Sequence, residues 1–187
     1  MARVVKILSA ILLLTLFGCN GMTKSKKTGG SKSGIRDTCT PYFEFDKIEH
    51  YYLEIDETVL WDIEEKKIKS NKQEKQLELL LQRTPDKLVD STMIKELEKL
   101  DFVKKDIPTD KFGEINEIFC QRIHTENLHK MCITVYRDIL VFKKRNRTIG
   151  FAKLCFDCNQ NVITGTALNT DEFGQSGDYE KLYKILH

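Results

Sequence analysis

An α+β fold, a mostly antiparallel sheet packed with several helices, is predicted by three features of the chain. Apolar residues recur at three- and four-residue spacing between Asp56 and Phe119, the period of a helix. From Cys132 onward they alternate, the period of a strand. The alternating segments are joined by short polar turns, and strands joined that way pair antiparallel.

Taken in order, Tyr42, Phe43, Phe45, Ile48, Tyr51, Tyr52, Leu53 and Ile55 form an aromatic and β-branched stretch that reads as one or two strands. Asp56 caps a short helix containing Val59, Leu60 and Ile63. Ser70 opens another through Leu77, Leu79, Leu80 and Leu81, stopped at Thr84-Pro85. Asp90 or Ser91 caps a helix with Ile94, Leu97 and Leu100 on one side. Thr109, after Pro108, caps one in which Phe112, Ile115 and Phe119 share a face. CITVYRDILVF, residues 132–142, then reads as a long strand, TIGFAKLCF as a second and VITGTAL as a third, a meander turning at KKRNR and DCNQN. The tail GDYEKLYKILH is helical, with Gly177 supplying turn freedom and Asp178 the capping oxygen. Helices are expected on one face of the sheet.

Residues 39–187 are thus read as one α+β domain, and what precedes them is of another kind. Arg3 and Lys6 lead an apolar run from Ile7 to Phe17, which ends at Gly18-Cys19. An apolar run of eleven residues is too short to span a bilayer, which takes roughly 20, but it suits an export signal. Leu16-Phe17-Gly18-Cys19 resembles the lipobox of bacterial lipoproteins, although Phe17 is larger than the residue usual there. The resemblance implies a signal peptide over 1–18, cleavage before Cys19 and a diacylglycerol on its sulfur, so the membrane is a partner through the N-terminal lipid.

Residues 19–38 are rich in Gly, Ser, Thr and Lys and almost lack large apolar side chains, which predicts a disordered basic tether holding the body on the order of 25 Å from the membrane. The segment lacks the acidic run after the cysteine that marks surface-exported lipoproteins in some Gram-negative lineages. The expected location is therefore the cell envelope, on the periplasmic face of the outer membrane.

The whole chain carries 30 basic and 28 acidic residues. Setting aside two basic residues of the signal, and five basic and one acidic of the tether, leaves the body 23 basic and 27 acidic. Lys143, Lys144, Arg145 and Arg147 are read as a solvated hairpin tip, and no nucleic-acid partner is expected. Arg137 and Asp138 stand out because they interrupt a strand apolar on both faces. Neighbours on a strand point to opposite sides, so each needs its own partner: a fixed ion pair, edge exposure or a ligand.

Apart from Cys19, the cysteines are Cys39, Cys120, Cys132, Cys155 and Cys158, an odd number in a compartment where disulfides form. Cys155 with Cys158 is the candidate local clasp or redox pair, and Cys120 with Cys132 the candidate second disulfide. Against an activated thiol, CFDC is followed by a turn and a strand rather than opening a helix, and Asp157 sets a carboxylate between the two sulfurs. Zinc is the alternative cofactor, with Cys120, His124, Cys155 and Cys158 as its ligands and His129 nearby; otherwise no cofactor is expected. No G-x-S-x-G, H-E-x-x-H or phosphate-cradling glycine loop occurs, and no catalytic residue is assigned.

Tyr136-Arg137-Asp138, Cys155-Phe156-Asp157-Cys158 and the Gly177–Leu182 tail together resemble small bacterial envelope lipoproteins built from a YRD strand, a CFxC hairpin and a GDYEKL-type helix. That resemblance implies no activity. The expectation is a lipid-anchored envelope protein acting as a non-catalytic binding or interaction module, with an envelope protein as a candidate partner. The alternative is a thiol redox or metal-binding envelope protein using Cys155 and Cys158.

Overall fold

Strand β5 (Asp138–Lys144) carries Leu140 and Phe142 on one face and Ile139 and Val141 on the other, and a strand apolar on both sides needs cover on both. It lies at the centre of a five-stranded antiparallel sheet in the order β3-β2-β5-β6-β7, in a computed structural model that describes residues 39–88, 92–124 and 130–187. The other strands are β2 (Lys47–Tyr52), β3 (Val103–Asp106), β6 (Arg147–Cys155) and β7 (Gln160–Thr164). Strands β1 (Thr40–Pro41) and β4 (Cys120–Gln121) make a separate two-stranded ribbon. The signal peptide, Cys19, the tether, Asp90, Ser91 and His129 lie outside the described residues.

Helices cover both faces of the sheet, not one as expected. On the first, Ile48, Leu140, Phe142, Ala152 and Leu154 pack against Ile115 and Ile118 of α3 (Phe112–Ile118) and against Tyr179, Leu182 and Leu186 of α4 (Asp178–Leu186). On the second, Tyr51, Ile139, Val141 and Phe151 meet Leu60 of α1 (Glu57–Glu64), Leu79 and Leu80 of α2 (Asn71–Leu81), and a 3-10 helix over Met93–Leu100 through Ile94, Leu97 and Leu100. Each fully buried side chain of this size contributes roughly 1.5 to 3 kcal/mol, so leaving either face open would cost several such terms.

Local chemistry sets most element ends. Asp56 accepts from the Thr58 amide at 2.7 Å and starts α1, while Ser70 and Gln73 form a reciprocal capping box on α2. The β5–β6 hairpin turns through Arg145 and Asn146, both at positive φ (48° and 63°), the pair a two-residue primed turn requires. Gly150 lets the ring of Phe43 lie against the sheet, where it stacks on Phe142 at 4.5 Å; a Cβ at Gly150 would run into that ring.

Three expected boundaries are corrected. The strand expected from Cys132 begins only at Asp138, because the preceding segment leaves the ladder: the Tyr136 amide donates to Leu80 O at 2.8 Å and Cys132 is tied to Cys158. Thr109 does not cap α3; it opens a 3-10 turn, Thr109–Lys111, that runs straight into the helix. Asp178 is the first residue of α4, not its cap, and is buried against Lys181 at 3.0 Å and Arg122 at 3.3 Å. No helix among the described residues is long and apolar enough to cross a membrane.

Candidate functional site

Three strands end side by side where Tyr52 of β2 pairs with Asp138 of β5 and Asp138 with Leu154 of β6. His50, two residues before Tyr52, points to the same face as Asp138, since side chains alternate along a strand. The last turn of α4 brings His187 over the same spot. His50 Nε2 lies 2.7 Å and His187 Nε2 2.9 Å from one oxygen, Asp138 Oδ1. An ionised carboxylate only accepts, so each ring places its N–H at Nε2.

The side chains of His50 and Asp138 are 1 % and 5 % exposed, and that of His187 is 19 % exposed. A carboxylate buried this deeply needs compensation, and two charge-assisted hydrogen bonds provide it. His50 closes the back of the site; His187 forms its mouth.

The mouth opens into a cleft of about 700 Å³ lined by the start of α1, the end of α4 and the turn after β6. Tyr183 stacks on the His187 ring at 4.6 Å, Tyr52 meets it edge-on at 5.0 Å, and Phe156 packs on Tyr183 at 5.2 Å. Burial and then the charge of Asp138 raise the Tyr52 hydroxyl above its usual range, so it stays protonated. Glu54, Asp56, Glu57 and Asp157 make the rim acidic. Arg137 bridges it, bonding Asp157 at 3.0 Å and Glu57 at 3.5 Å and donating from Nε to Ile55 O at 3.4 Å. Arg137 and Asp138 thus serve one cleft, the first across its rim and the second at its floor.

The cysteines pair differently from the expectation. Cys39 is bonded to Cys120 and Cys132 to Cys158, with Cα separations of 5.5 and 5.8 Å, while Cys155 is a free, buried thiol. Cys155 and Cys158 share one small buried cluster with Tyr136 and Val162, but the sulfur of Cys158 is taken by Cys132. Cys155 ends β6 as a residue of the sheet, whereas Cys158 lies past the turn, beside the segment from Cys132. The redox pair is therefore not assembled, and neither is the Cys120–Cys132 bridge. The zinc set Cys120, His124, Cys155 and Cys158 is not assembled either: two of its sulfurs sit in separate disulfides, and His124 Nδ1 bonds Ser176 Oγ at 2.9 Å.

A second buried charge lies on the opposite face of the sheet. Lys153 Nζ donates to Gln82 O at 2.6 Å and Thr84 O at 2.7 Å, fastening the end of α2, and stands 4.8 Å from the Tyr136 ring centre. Burial pulls this lysine down to about 7, against the pull of Glu78. The basic hairpin carries its own partners: Lys143 lies 2.5 Å from Glu49 and the Arg145 amide donates to Asp46.

The side chains that sequence reasoning missed are His50 and His187. Each stands alone in its segment, 88 and 49 positions from Asp138, so no local spacing joins them. The available hint was a charge inside an apolar strand, which had to find a partner somewhere. Chemically, the trio can hold a proton between a carboxylate and two imidazoles, or turn its nitrogen lone pairs toward a cation. Comparison with protein-family models, with characterised proteins and with solved structures finds no match to this chain.

Proposed function

We propose that this chain is a lipid-anchored protein of the bacterial cell envelope, held at Cys19 on the periplasmic face of the outer membrane, and that its body is a non-catalytic binding module whose ligand site is the cleft over Asp138. The observation that carries the anchoring is Leu16-Phe17-Gly18-Cys19 at the end of a short basic and apolar leader, followed by a lysine-rich polar segment. Two disulfides in a body of 149 residues agree with an oxidising compartment.

Buried lipid methylenes add about 0.8 kcal/mol each, while a lysine near a strongly anionic surface adds roughly 1 kcal/mol, so the acyl chains dominate the anchoring. The cleft supports the binding role because its polar groups converge on a floor of low exposure between aromatic walls, the usual make-up of a ligand site. An envelope protein docking at the cleft rim remains within this proposal. Fractionation tests it: the wild-type chain should sediment with membranes and resist high salt, and Cys19→Ser should accumulate as uncleaved precursor. A wild-type chain released by salt, or a Cys19→Ser chain processed normally, would contradict the proposal.

A further inference from the structure

We propose that His50 Nε2, Asp138 Oδ1 and His187 Nε2 are the protein ligands of a divalent transition-metal ion of the zinc class, bound at the floor of the cleft with its remaining coordination positions open to solvent or ligand. The inference deepens the cleft's role by naming what the cleft takes, and it is independent of the lipid anchor.

Distance comes first. The three ligand atoms all lie within 4.8 Å of one another, with the carboxylate oxygen 2.7 and 2.9 Å from the two nitrogens. An ion about 2.1 Å from each of two ligand atoms separates them by about 3.0 Å at a right angle and about 3.4 Å at the tetrahedral angle. The two carboxylate–nitrogen spacings are within a few tenths of an ångström of the first, and the two nitrogens, within 4.8 Å of each other, must come inside about 4.2 Å. His187, at the end of α4 and at the mouth of the site, is placed to make that adjustment, whereas His50 and Asp138 are fixed on paired strands.

Ligand chemistry selects the metal. Calcium and magnesium prefer all-oxygen shells, while two imidazoles and one carboxylate suit zinc and its neighbours. Binding replaces each Nε2–H···Oδ1 bond by an Nε2–metal bond; the ring proton passes from Nε2 to Nδ1, so a neutral ring changes tautomer and loses no net proton. Electrostatics agrees, since the Asp138 charge is buried, the rim carries Glu54, Glu57 and Asp157, and the guanidinium of Arg137 is engaged by two of those acids. The exposed edge of His187 gives the ion a path from the cleft. The rings of Tyr52 and Tyr183 pack against the His187 imidazole and hold its plane.

The test uses the full chain in detergent, without reductant, stripped with a chelator and titrated with zinc chloride near neutral pH. One zinc per chain is expected. His187→Gln, at the mouth and outside the core, should weaken binding by at least about tenfold. His124→Gln, bonded to Ser176 away from the site, should leave it unchanged. Cobalt bound in place of zinc should give a visible d–d spectrum that His187→Gln alters, a readout that does not need His50→Gln or Asp138→Asn to fold. Absence of binding up to millimolar zinc, or stoichiometric binding unaffected by His187→Gln, would overturn the proposal. Neither result depends on whether Cys19 carries lipid.

Discussion

Glu49 offers the sharpest test of the electrostatics of the sheet. Its carboxylate is 2 % exposed on the β2 face turned toward α1 and α2, and three lysines converge on it: Lys143 at 2.5 Å, Lys104 at 2.8 Å and Lys47 at 3.1 Å. Tyr51 donates its hydroxyl to the same group at 3.2 Å. Burial by itself would raise the carboxyl, but the hydrogen bonds from Lys104, Lys143 and Lys47 outweigh it and hold it at about 2, against 4.5 unperturbed. At about 1.36 kcal/mol per unit, that displacement is worth roughly 3 kcal/mol. The side chains of Lys47, Lys104 and Lys143 are 42 %, 31 % and 22 % exposed, so solvent screens part of the interaction and about 2 kcal/mol is expected to survive.

A depressed carboxyl stabilises the fold above its unfolded value, and the contribution disappears as pH falls from there through about 2. Glu49→Gln should therefore cost about 2 kcal/mol in urea unfolding near about pH 7 and less than half of that near about pH 3, where the wild-type carboxyl has lost most of its advantage. An equal cost at both pH values, or no cost at neutral pH, would refute the role assigned to the lysine cluster.

Lys153 should give a slope of the same sign, at higher pH. With its folded value drawn down to about 7 from 10.5, the unfolded chain binds a proton that the native state has released, so stability rises with pH between those limits. Urea titrations of the wild type and Lys153→Met should show the wild type gaining about 2 kcal/mol on the variant between about pH 7 and about pH 9. Gly150→Ala should destabilise by about 2 to 3 kcal/mol in the same assay, because the new methyl must displace the stacked Phe43 ring. Peptide mapping without reductant should recover Cys39 with Cys120 and Cys132 with Cys158, and leave Cys155 to alkylate only after unfolding. Closing loops of 81 and 26 residues, the two bridges add about 4 to 5 and about 3 to 4 kcal/mol by chain entropy, so reduction should lower the denaturation midpoint substantially.

Period and capping made much of the fold legible. Ser70 and Asp56 cap the helices they were expected to cap, and the three-strand meander forms, with its first strand starting at Asp138 rather than Cys132 and its third ending at Thr164 rather than Leu168. Strand β3 was not legible, because VKKD is short, charged and lies at the sheet edge, where no alternation is needed. That helices cover both faces could have been drawn from Ile139, Leu140, Val141 and Phe142, since four successive apolar residues in a strand leave no face for water. The partial reading of the site has the same origin. Asp138 betrayed itself as a charge in an apolar strand, but its partners come from β2 and the end of α4, and only the sheet register brings them together. Cysteine pairing failed for a related reason: proximity in sequence favoured Cys155 with Cys158, whereas the turn after β6 delivers Cys158 to the segment carrying Cys132.

The central claim, a body held to the envelope through Cys19, is tested most directly by the mass of the N-terminal tryptic peptide from membranes of cells expressing the chain. The expected peptide begins at Cys19, ends at Lys24 and carries a diacylglycerol on the cysteine sulfur. A peptide that retains Phe17 and Gly18 ahead of an unmodified Cys19 would contradict it.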